Sequence, residues 1–108
     1  MEHEPRRMRA RVDFVTSPGY GDGTPAWRER QGLVRGGPCA VITTLGVLRF
    51  SEYEAYLASY HPFTTPAEVQ AATGWPLRVA EDCAPTPPPT VDELRLIREA
   101  DPHGFWTR

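Results

Sequence analysis

Few residues of this sequence have side chains suited to chemistry, and those few are scattered. Cys39 and Cys83 are 44 positions apart and neither belongs to a CxxC pair. That spacing excludes a zinc knuckle or a thioredoxin-type redox motif. His3, His61 and His103 share no metal-ligand spacing. Ser17 precedes Pro18 with no His or Lys nearby to activate it, so it makes a poor nucleophile. Gly19-Tyr-Gly-Asp-Gly23 contains GxGxG, but a dinucleotide fingerprint must open a helix, and Thr24-Pro25 turns the chain instead. The value of these glycines is a permissive backbone that a ligand or another strand can approach closely. Asp22, between Gly21 and Gly23, reads as a turn former, and Glu52, Glu54, Glu81 and Asp82 as solvated turn residues. No GxSxG elbow, P-loop or HExxH is present.

The elements that must position these residues are short. Val12 to Thr16 reads as a strand. Residues 17–38 form a 22-residue loop rich in turn formers, with a helical turn expected around Trp27–Gln31. A loop of that length inside a compact domain is usually functional or disordered. Cys39 to Phe50 reads as one strand buried on both faces, with Gly46 marking a bend and Cys39 serving as small core filler. Ser51 to Glu54 turns the chain into a hairpin with Ala55–Tyr60. Thr65, Pro66 and Glu68 announce a helix by a capping box, with Gly74 as its C-terminal stop. Leu77–Ala80 is a further strand, and residues 84–90 a proline-rich linker of extended type. Thr90 and Glu93 repeat the capping box before a last helix whose Val91, Leu94 and Ile97 share a face. The aromatic pair Phe105-Trp106 is expected to dock on a core or on a partner.

The fold class is α/β, with a hairpin and two short helices. Two such helices cannot cover both faces of the sheet, so another chain or further sequence is expected over the remainder. Composition narrows the class further. The chain has 108 residues, 12 Pro, 9 Gly and 40% hydrophobic residues, which fits neither a collagen nor a plain helical bundle. All 12 basic residues are Arg and the net charge is −2, so no global field favours nucleic acid or an anionic membrane. Arg6, Arg7, Arg9 and Arg11 form a local basic run that reads as a solvated segment beside Glu2 and Glu4. No secretory signal or membrane span is visible, and the two cysteines read as reduced thiols in the cytoplasm.

The assembled pattern resembles a family. Val12-Asp-Phe-Val-Thr-Ser-Pro-Gly-Tyr20, Gly36-Gly-Pro38, Val41-Ile-Thr-Thr-Leu-Gly-Val47, Ser59-Tyr-His-Pro62, Thr73-Gly-Trp75 and the helix ending Arg98-Glu-Ala-Asp-Pro102 look like the second half of the β subunit of class I CoA-transferases. The glutaconate CoA-transferase type is the nearest branch. That branch includes the β subunit of a CoA-ester hydrolase that opens steroid rings. The resemblance implies a partial CoA-transferase-like α/β domain over residues 1–108, acting on an acyl-CoA thioester with an α subunit. It implies no covalently bound cofactor and no metal. Met1-Glu-His3 looks like an internal segment of the family, so the half carrying its catalytic glutamate is expected to be missing, and no nucleophile is carried over. Phe63 stands where the family has Gly after the His-Pro pair. For contact with the CoA ester, the resemblance leaves the long loop, with Ser17, Gly19, Tyr20, Gly36 and Gly37 shaping a wall. The alternatives are the ring-opening hydrolase subunit and an inactive remnant or interface module.

Overall fold

The computed structural model describes residues 1–107 and holds a four-stranded mixed sheet with three short helices. In chain order the elements are α1 (Trp27–Arg30), β1 (Ala40–Ile42), β2 (Gly46–Ser51), β3 (Glu54–Tyr60), α2 (Pro66–Ala71), β4 (Arg78–Pro85) and α3 (Val91–Ala100). The strands lie in sequence order, β1 and β2 antiparallel, β2 and β3 antiparallel, β3 and β4 parallel across α2.

The run Cys39–Phe50 is two strands, not one. Thr43 causes the break. Its hydroxyl accepts from the N–H groups of Leu45 and Gly46 and donates to the carbonyl of Gly46, closing a turn inside an apolar stretch. Nor is the run buried on both faces. Leu48 and its neighbour Leu57 are fully buried, whereas Ile42 is 67% exposed and Arg49 faces solvent. Cys39 is exposed ahead of β1 and fills no core. β2 and β3 then join through Glu52 and Tyr53, both at positive φ (52° and 69°), the two-residue turn that matches strand twist.

Three further expectations change. Val12–Thr16 forms no strand and lies exposed, because no strand among the described residues pairs with it. The strand expected at Leu77–Ala80 runs on to Pro85 along an edge of the sheet, so the linker expected at 84–90 begins only after it. An edge tolerates that proline because its missing N–H can face outward. Gly74 does not stop α2 in a left-handed conformation. Instead the chain of Met8–Ala10 crosses it so closely that a Cβ would lie 2.7 Å from the Met8 carbonyl, whose oxygen accepts from Gly74 N–H.

The core is Met8, Leu48, Leu57, Val69 and Leu77, with Val41, Leu45, Tyr60 and Trp75 packed against it. It is small: the chain exposes 8372 Å², against roughly 6,000 Å² for a compact monomer of this mass. No helix among the described residues is long and apolar enough to cross a membrane.

Candidate functional site

The long loop is shaped, and the shaping residue is Arg28. One turn of helix, α1, carries it. Its Nη1 donates to the Gly19 carbonyl, and its Nη2 donates to the carbonyls of Arg35 and Gly36, each at 2.6 Å. One guanidinium thus ties both ends of the loop to its middle, a use of the planar fork that Lys cannot copy with the same geometry.

Around this tie the loop is set by small local bonds. Asp22 accepts from the N–H and hydroxyl of Thr24, which holds its carboxyl below the usual range, with the Arg30 charge adding to the effect. It is the turn former its position predicts. Trp27 lies over Gly21, where any Cβ would meet the indole. Tyr20 lies over Gly37 in the same way and donates its hydroxyl to the Pro38 carbonyl at 2.8 Å. Its ring also packs on Phe50 and edge-on to Tyr53, with centroids 5.3 and 5.8 Å away. The loop is therefore anchored on the β2–β3 hairpin.

The result is an open cleft of about 530 Å³ lined by Tyr20, Arg28, Arg35, Gly36, Gly37 and Tyr53, among others. Of the five residues singled out in sequence, Tyr20, Gly36 and Gly37 line it together. Gly19 does not line it, its carbonyl spent on Arg28, and Ser17 is exposed outside it. Arg28, Arg35 and Tyr53 were not legible as site residues. The faint signal for Arg28 was a basic residue on a single helical turn inside a glycine-rich loop.

A second concavity is apolar, formed by Pro87–Pro89 with Leu96 and Ile97 of α3, about 670 Å³ in volume. Every residue of α3 is exposed except Leu94, which is half-buried. Phe105 and Trp106 do not dock on the core. They are 69% and 83% exposed, packed edge to face on each other, and held by the Asp101 carboxylate, which accepts from the N–H groups of Phe105, Trp106 and Thr107.

Two further titratable groups, His3 and Cys83, sit in partly or fully buried surroundings. His3 is buried between Thr43 and Thr73, its Nδ1 3.0 Å from one hydroxyl and its Nε2 2.9 Å from the other. Burial lowers its pKa and favours the neutral ring. Both hydroxyls also lie within hydrogen-bond distance of backbone carbonyls, those of Gly46 and Val69. A neutral ring has one N–H, so one hydroxyl donates to the ring and the other to its carbonyl. Burial, with the Asp82 charge beside it, pushes the Cys83 thiol up and makes it a poor nucleophile. Among the described residues no three His, Cys, Asp or Glu side chains are grouped to hold a metal ion.

No protein-family model matches the sequence. Individual proteins do. The chain is 44% identical over 103 residues to the β subunit of glutaconate CoA-transferase from Acidaminococcus fermentans, covering 92% of this chain and 38% of that protein. It is 37% identical over 90 residues to the β subunit of 3-oxoadipate CoA-transferase from Pseudomonas knackmussii, covering 82% of this chain and 34% of that protein. The crystal structure of the Acidaminococcus fermentans glutaconate CoA-transferase superposes with a TM-score of 0.87 at 38% identity, over 100% of this chain and 42% of that one. The chain thus spans well under half the length of the relatives it matches.

Proposed function

From its homology to part of the β subunit of the CoA-transferases, we propose that this chain is one portion of such a subunit and acts on an acyl-CoA thioester together with an α subunit. The observation that carries this reading is the agreement of sequence and fold over nearly the whole chain, 44% identity over 92% of it and a TM-score of 0.87. On this reading the chain is the C-terminal portion of the β subunit, and the nucleophilic glutamate of the family lies in the portion before it. Its own contribution is the wall formed by Tyr20, Gly36 and Gly37, with Gly19 holding the Arg28 guanidinium and Ser17 outside the cleft. CoA enters as substrate, not as a resident cofactor. The apolar groove of α3 and the prolines suits contact with the remaining polypeptide. Two free thiols, Cys39 and Cys83, suit the cytoplasm.

A segment exchange tests this. The chain replaces the matching segment of the Acidaminococcus fermentans β subunit, and the hybrid is co-expressed with the α subunit of the same enzyme. Assembly on a sizing column with glutaconate CoA-transferase turnover supports the reading. Assembly without turnover leaves the chain an interface module. Failure to assemble, with the hybrid folded, removes the subunit reading. Hydrolysis of a cyclic CoA ester by the hybrid, with no transfer, favours the ring-opening branch. The purified 108-residue chain alone is expected to show no turnover, because it contains no residue matching the family's nucleophile.

A further inference from the structure

We propose that the backbone N–H groups of Gly36 and Gly37, turned outward by Arg28, form a two-donor seat for an oxyanion. Identifying that oxyanion as a carboxylate or phosphate of an acyl-CoA rests on the function proposed above.

The geometry follows from the trans peptide. No cis bond occurs among the described residues, so each peptide N–H points opposite to the carbonyl of its own peptide unit. Arg28 Nη2 holds the carbonyls of Arg35 and Gly36 side by side. The N–H groups belonging to those two peptide units are those of Gly36 and Gly37. Both are therefore aimed away from the guanidinium. Two adjacent carbonyls held by one donor lie on one side of the loop, which leaves the two N–H groups together on its other side. Neither donates a hydrogen bond to any described residue, although the loop around them has its turns closed. Gly36 and Gly37 both line the cleft. Backbone N–H groups left without an acceptor are donors an anion can use, and a cation close by adds a favourable field.

That field is present. No ion pair of Arg28 with a carboxylate occurs among the described residues, so its charge is set against carbonyl dipoles alone. Arg35 adds a second exposed cation on the cleft wall, against the single acid Glu29. Tyr20 closes one side, and its ring allows no side chain at position 37. Arg28 is thus a positioning residue that works through the backbone, not one that touches the ligand.

The test uses the ¹⁵N-labelled full chain, titrated separately with glutarate, inorganic phosphate, coenzyme A and acetyl-CoA. The Gly36 and Gly37 amides are expected to move downfield together and to saturate. A response to glutarate or to coenzyme A assigns the oxyanion to a carboxylate or to the nucleotide phosphates respectively. R28A is expected to weaken that response tenfold or more while the amides of Leu48 and Leu57 keep their folded positions. R35A, which removes charge but leaves the carbonyl clamp, is expected to weaken it less than threefold. Equal losses in R28A and R35A reduce the seat to a charge effect and overturn it. Binding of acetyl-CoA that leaves both glycine amides unmoved overturns the seat and spares the acyl-CoA reading. Saturation by glutarate or phosphate with no binding of coenzyme A or acetyl-CoA keeps the seat and removes that reading. No response of the two amides to any probe overturns the seat.

Discussion

Helices α2 and α3 begin with the same device, and only one of them is part of the core. In both, a threonine at the cap accepts from the N–H three residues on, and the glutamate there reaches back to the threonine N–H: Thr65 with Glu68, Thr90 with Glu93. Both glutamates are held below the usual carboxylate range by these bonds. Yet the six-residue α2 buries Val69 completely, while the ten-residue α3 buries nothing. A capping box starts a helix, but it does not decide what the helix packs on. α2 is also tied down at its far end, where Thr73 meets His3, and its Gln70 side chain bonds Trp75 and Leu77. Apart from the half-buried Leu94, the apolar positions of α3 are exposed, with Val91 at 84% and Leu96 at 55%.

The largest break in this contrast comes from Val69→Ala. It removes a fully buried side chain at a cost of about 2–3 kcal/mol, read from the urea midpoint, whereas Ile97→Ala on α3 should leave that midpoint unchanged. Next is His3→Ala, which takes a partner from two buried hydroxyls and should cost about 1–3 kcal/mol. His3 also gives the core a pH dependence. Its pKa is lowered on folding, so the unfolded chain binds more protons and stability rises with pH. That stability is fully present above about pH 6.5 and declines as pH falls through the lowered folded value. Urea midpoints at pH 7.5 and 5.5 should differ in the native chain and converge in His3→Gln. Thr65→Ala should cost about 1 kcal/mol of global stability. The smallest global effect is that of Thr90→Ala, which should lower helicity in α3 and speed amide exchange there without moving the urea midpoint. If α3 is covered in a complex, Ile97→Ala and Thr90→Ala should weaken assembly while Val69→Ala lowers the stability of the chain itself.

Local signals carried well. Both capping boxes, the turn at Glu52-Tyr53 and the short helix at Trp27 were legible because each depends on residues within four positions of one another. The break at Thr43 was not, because the run contains no Pro or Asn there and the turn is closed by a hydroxyl in an otherwise strand-like stretch. Residues 1–11 carry no period, yet His3 and Met8 are buried. His3 is held by contacts with residues some 40 to 70 positions away, which no local pattern records. At the cleft, glycine and tyrosine positions stood out in sequence, but Arg28 did not, since its partners are three carbonyls and any residue has one.

The sequence by itself determined where the helices start, where the hairpin turns, and that the glycines of residues 17–38 permit close approach. These are matters of backbone preference over a few residues. Only the tertiary structure decided which helix is buried, that His3 joins Thr43 to Thr73, and that one guanidinium gathers the carbonyls of Gly19, Arg35 and Gly36. Burial and hydrogen-bond partnership are properties of residues brought together by the whole chain, and a peptide N–H acquires a direction only once its carbonyl has been claimed.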